Sequence, residues 1–112
     1  MLTIEKLKEY GADIESGIKR CANNQALYLR LVATVPSNIG FNNLYEAIKR
    51  NDLAEAFKNA HGLKGILSNL SLDPILNPVI EITELLRKKE EIDYSLIIKN
   101  IEDNRKKLEE IL

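Results

Sequence analysis

Residues 52–70, DLAEAFKNAHGLKGILSNL, decide the fold. Leu53, Ala56, Ala60, Leu63, Leu67 and Leu70 follow one another at steps of three and four, the spacing that keeps apolar side chains on one face of an α-helix. The seam persists for about five turns, so the segment predicts a long central helix. Asp52, before the first periodic residue, is suited to cap it.

The sequence on both sides carries the same period. Upstream, Thr3 can cap a short helix that stops before Gly11, and Asp13 can cap a second through Ile14 and Ile18. Asn24 precedes a run to Val35 whose face is Leu27, Tyr28, Leu31, Val32 and Val35, with Pro36 as its terminator. A further helix is expected from about Asn42 to Arg50 on Leu44, Tyr45 and Ile48. Downstream, Asp73-Pro74 and Asn77-Pro78 offer two equivalent starts, the second also a kink, for a helix carried by Val79, Ile82, Leu85 and Leu86 to about Lys89. The last helix is expected from near Asp93 to the C-terminus through Ile97, Ile101, Leu108 and Leu112. No stretch alternates as a strand would, and the hairpin dipeptides are missing. The fold class is therefore all-α. The expected architecture is an up-down antiparallel four-helix bundle with additional short N-terminal helices covering one end.

Composition bounds the function. The 112 residues, 45% of them hydrophobic, suit one domain spanning 1–112 with its own core. With 16 basic against 17 acidic side chains, the chain lacks the positive excess that nucleic acid requires as a partner. There is no tryptophan, and the few aromatic residues suggest an aliphatic core. No segment reaches the roughly 18–20 apolar residues of a membrane span, and MLTIEKLKEY has no signal-peptide core. Cys21, the single cysteine, fits a small buried residue of a reducing compartment, so a cytoplasmic protein without membrane attachment is expected.

His61 is the single histidine. At about 100° per residue it lies roughly 130° from the centre of the aliphatic seam, on the solvent side of the boundary. Phe57 and Lys58 stand one turn before it, Lys64 and Gly65 one turn after, and Ser68 and Asn69 a turn further. A neutral imidazole is a nucleophile at cellular pH, because its reference pKa is about 6.5. Lys64 can offset phosphoryl charge, although a lysine on a solvated helix face needs no such role. Gly65 clears space beside the ring. Glycine within a helix costs roughly 0.5–1 kcal/mol relative to alanine, and this helix carries both Gly62 and Gly65. Access explains that cost better than stability does. Phe57 fits the edge of the core better than a docking surface.

The residues Ala60-His61-Gly62-Leu63-Lys64-Gly65, followed by Asn69-Leu70, resemble the A-H-x-L-K-G and N-L-G signature of histidine phosphotransfer domains. The pattern of Leu7-Lys8-Glu9-Tyr10-Gly11, Arg20, Tyr28 with Leu31, and Asp52 with Ala56 is similar to that family's as well, so the resemblance covers most of the chain. It departs at Ser71, where glycine commonly follows and which is expected to blur the helix end, and at Gly62, where a polar residue is common. Histidine with lysine at +3 and glycine at +4 arises by chance about four times per thousand histidines, so the motif draws its weight from its setting on a long central helix.

The resemblance implies a phosphorelay intermediate. His61 is then the phosphorylated residue, Lys64 its supporting cation and Gly65 the small residue that admits the partner. Phe57, Lys58, Ser68 and Asn69 complete the docking flank. The implied partners are response-regulator receiver domains and a hybrid sensor histidine kinase, met by a monomer. No cofactor or metal is expected on this chain; Mg²⁺ is expected on the receiver. Without a glycine-rich nucleotide loop, the chain is a phosphocarrier with no ATP-dependent kinase activity of its own. Two other classes compete with this reading. A di-iron bundle enzyme needs paired Glu-x-x-His motifs, whereas Lys58 stands three residues before the sole histidine. A non-catalytic interaction module of the same fold remains the alternative.

Overall fold

The computed structural model describes all residues from Met1 to Leu112. Seven α-helices and one 3₁₀ turn follow in order: α1 (Ile4–Tyr10), α2 (Ile14–Arg20), α3 (Gln25–Thr34), the turn Val35–Ser37, α4 (Ile39–Lys49), α5 (Leu53–Asn69), α6 (Asp73–Arg87) and α7 (Ser95–Glu110). There is no strand. No helix is long and apolar enough to cross a membrane.

The caps expected from sequence form. The side chains of Thr3, Asp13, Asn24 and Asp52 accept from the backbone N–H of Lys6, Ser16, Leu27 and Glu55 at 3.2, 3.2, 3.0 and 3.1 Å. Each satisfies one of the donors that a helix start leaves without a partner. Helix ends follow a second pattern. Asn51, Ser71 and Lys89 take left-handed φ of 58°, 52° and 55°. After each, the next N–H reaches back to close the last turn, as Asp52 does to the Ala47 carbonyl at 2.9 Å and Leu72 to Leu67 at 3.1 Å. Ser71 therefore ends α5 sharply, contrary to the blurred end its departure from glycine suggested.

Other boundaries differ from expectation. α4 starts at Ile39 rather than Asn42, because the Asn38 side chain accepts from Gly40 N–H at 2.7 Å and caps it there. Pro36 lies inside the 3₁₀ turn that follows α3. Of the two proline starts, the first is used: Asp73 is the first residue of α6 and Pro74 lies in its first turn, where a missing N–H removes no bond. Asp73 itself does not cap, since the cap position is Leu72. Pro78 is buried within the helix. α7 begins at Ser95, with the Asp93 carboxylate accepting from Ser95 N–H at 2.9 Å.

α5 is the centre of the packing. It lies against α4 on one side and α6 on the other, and α6 in turn carries α7. Ala56, Ala60, Leu63 and Leu67 of α5 meet Leu44 and Ala47 of α4 and Ile75, Val79, Ile82 and Leu86 of α6 in one core, which Ile101 and Leu108 of α7 complete. Each fully buried Leu or Ile contributes roughly 1.5–3 kcal/mol. Cys21 is buried with a free thiol.

The core is not purely aliphatic: Tyr28 and Phe41 are its largest fully buried side chains. Tyr28 is admitted by Gly17, where an added Cβ would come within 2.8 Å of the Leu70 carbonyl oxygen and closer still to the tyrosine ring. Its hydroxyl donates to that carbonyl at 3.0 Å, which removes the penalty for burying a polar atom. Phe41 lies 4.6 Å beneath the Arg105 guanidinium, whose Nε donates to the Pro36 carbonyl at 2.8 Å. The N-terminal helices are fastened mainly at the end of α5. Asp13 N–H donates to the Ser71 carbonyl at 3.0 Å, Tyr28 to Leu70, and the Arg20 guanidinium to Ser68 in the last turn of α5, while the Tyr10 hydroxyl of α1 donates to the Asn104 carbonyl of α7 at 2.9 Å.

Candidate functional site

The phase of α5 dictates which of its residues meet solvent. Its apolar seam faces α4 and α6, which leaves His61, Lys58, Gly62, Gly65 and Asn69 exposed, while Phe57, Lys64 and Ser68 are half-buried along the seam's edge. His61 is thus exposed, as the helical phase anticipates. Lys58, Lys64, Gly65 and Asn69 share its flank, as expected. Phe57 and Ser68 do so less freely: Phe57 packs against the core, and the Ser68 carbonyl is engaged by Arg20.

The ring of Phe57 stacks on the imidazole, with centroids 5.7 Å apart and planes inclined by 22°. This is the geometry available to aromatic side chains one helical turn apart. The same phenyl ring lies 5.0 Å from the guanidinium carbon of Arg87, at the end of α6. Glu84, one turn earlier on α6, pairs with Arg87 at the surface, Oε1 to Nε at 3.4 Å. The column Glu84, Arg87, Phe57, His61 therefore joins two helices. Arg87 was not legible as part of the site, because no local pattern on α6 points to a ring on α5.

The two glycines of α5 have no packing role. A Cβ built on Gly62 or Gly65 meets nothing within 4 Å, in contrast to Gly17, which the core requires. The surface beside the imidazole is open. The nearest concavity, about 230 Å³, lies on the α4 side between Asn38, Gly40, Lys58, Gly62 and Ile66. His61 does not line that concavity, nor those between α6 and α7, along α7, between α1 and α7, or on α2. Small-molecule substrates are normally held in enclosed clefts, so a nucleophile on an open helix flank suits a macromolecular reactant. No group of three or more His, Cys, Asp or Glu side chains is arranged to hold a metal ion.

No family model, no curated protein and no solved structure matches the chain.

Proposed function

We propose that this chain is a histidine phosphotransfer domain, a phosphorelay intermediate that accepts a phosphoryl group on His61 from a receiver aspartyl phosphate and passes it to another receiver aspartate. The observation that carries the reading is the exposure of His61 on an unenclosed flank beside Gly65, a glycine that the protein's own packing does not require. In this reading the four helices α4 to α7 form an up-down antiparallel bundle with α1 to α3 covering one end, and the bundle is a rigid handle for one imidazole.

The chemistry follows from the residues. A neutral ring nitrogen of His61 attacks the phosphorus of the partner's acyl phosphate. The N–P bond forms as the P–O bond breaks, the electron pair leaves with the partner's carboxylate, and the imidazole proton passes to solvent. Lys64, one turn on and half-buried, offsets charge on the phosphoryl oxygens. The reverse attack by a second aspartate regenerates the histidine. Transfer of this kind depends on in-line positioning and charge neutralisation, most of which, with the Mg²⁺, the receiver brings. Docking across Lys58, Gly65, Asn69 and the exposed edges of Phe57 and Ser68 is small and transient, and the chain acts as a cytoplasmic monomer between a hybrid sensor kinase and response regulators.

Incubation with a panel of receiver domains phosphorylated by acetyl phosphate tests the reading. Label that survives alkali, is lost in acid and disappears in His61→Gln supports it. If no receiver labels His61, the chain is a non-catalytic interaction module instead.

A further inference from the structure

His61 does not stand free above its helix. An exposed histidine on an α-helix has two accessible χ1 wells and a broadly two-fold χ2, so its ring nitrogens sample several directions. Here the imidazole lies on the flat face of Phe57, which is itself held by the core on one edge and by the Arg87 guanidinium 5.0 Å from its centroid. Glu84 Oε1 lies 3.4 Å from the Arg87 Nε. A half-buried phenyl ring packed only to fill space would not need a cation from a second helix across its face.

We propose that Phe57, clamped by Arg87, is a positioning residue for His61, holding the imidazole in one orientation for attack on phosphorus; this rests on the phosphotransfer reading above. Stacking and the cation–π contact both favour the rotamer that lays the imidazole on the phenyl face over its competitors. Freeing both torsions would dilute the productive orientation by up to about fourfold.

The test needs no protein partner. Phosphoramidate transfers its phosphoryl group to imidazole: the P–N bond of the reagent breaks, the N–P bond to His61 forms, and the imidazole proton leaves on ammonia. In the intact isotope-labelled chain, three-bond couplings report the His61 rotamers while phosphoramidate labelling of His61 reports its reactivity. Phe57→Leu, which keeps an apolar side chain but no flat face, is expected to convert a single rotamer into an average and to slow labelling about two- to fourfold. Phe57→Tyr restores both, and Arg87→Ala shifts both in the same direction as Phe57→Leu. Because the Arg87 side chain is 51% exposed, its variant keeps the test available should Phe57→Leu disturb the core. Wild-type couplings already averaged, or unchanged in the variants, overturn the proposal. Should wild-type His61 be labelled no faster than in the urea-unfolded chain while the couplings behave as expected, the phosphotransfer reading fails and the clamp stands as an orienting device without that reaction.

Discussion

Replacing Gly65 by alanine separates what the helix wants from what the site wants. Alanine is favoured over glycine in an exposed helix interior by roughly 0.5–1 kcal/mol, mainly through the backbone entropy of the unfolded chain. The new methyl group has no neighbour within 4 Å, so no clash subtracts from that gain. About 1 kcal/mol raises Tm by roughly 4–8 °C for domains of 60–100 residues, so Gly65→Ala should raise it by about 2–6 °C. Gly62→Ala should do the same, since its surroundings are equally open. Function should tell the two apart. Gly65 lies about 40° round the helix from His61 and Gly62 about 100°. A methyl group beside the imidazole would stand between the ring and a docked receiver, and overpacking a tight contact by about 1–2 kcal/mol slows transfer roughly 5- to 30-fold. Calorimetry and a receiver-to-His61 transfer time course give both numbers on the same preparations. A lower Tm for Gly65→Ala would refute the open surface; a higher Tm with unchanged transfer would refute access as the reason for the glycine.

Four further outcomes are expected. His61→Gln should leave stability within about 0.5 kcal/mol in urea unfolding, because the side chain is exposed, while abolishing phosphorylation. Ser71→Gly should stabilise by about 0.5–1 kcal/mol, since Ser71 holds a left-handed φ of 52° that costs an L-residue more than glycine; a loss of stability would show that its buried side chain outweighs the strain. Burial raises the Tyr28 phenol from 10.0 to about 12, and burial raises Tyr10 and Tyr45 as well, Tyr45 further through its hydrogen bond to Glu102. Between pH 10 and 12 the folded chain thus holds more protons than the unfolded one, so this stabilisation is complete below pH 10 and is lost as pH rises toward 12; urea midpoints that stay level across that range would contradict it. Arg105→Ala should cost about 1–2 kcal/mol by freeing the Pro36 carbonyl and uncovering Phe41, and lysine should not rescue it, because Nε and Nη1 act together on Pro36 and Glu102.

The local features of this fold are written where they act. Thr3, Asp13, Asn24 and Asp52 announce their helices because a capping side chain bonds only two or three residues ahead, and the α5 seam announces its buried face because the helical period is rigid. Features that depend on distant partners were not legible. Asn38 caps α4, yet Pro36 two residues earlier obscured the start, and burial of Phe41 went unread with it. The apolar face of α3 announced Tyr28, but the glycine of another helix and the carbonyl 42 residues away that let it be fully buried lie outside any local pattern. The candidate site divides the same way. Exposure of His61 and its spacing to Lys64 and Gly65 follow from one helix, whereas the ring contact from Arg87 exists only because α6 packs beside α5.

Three of the bonds that fasten the N-terminal helices end on Ser68, Leu70 and Ser71, and a fourth runs from the Tyr10 hydroxyl to the Asn104 carbonyl of α7 at 2.9 Å. During synthesis, α1 to α3 leave the ribosome long before those acceptors exist, and helices of 7 to 10 residues are too short to persist alone in water. The first third of the chain therefore lacks these anchors until the end of α5 has been made, and α1 lacks its bond to Asn104 until α7 has. In the finished protein, a cluster of bonds on one short turn is also where opening should begin. Amide hydrogens of α1 to α3 should exchange with solvent ahead of those in α5 and α6, with the helix that carries His61 among the last to let go.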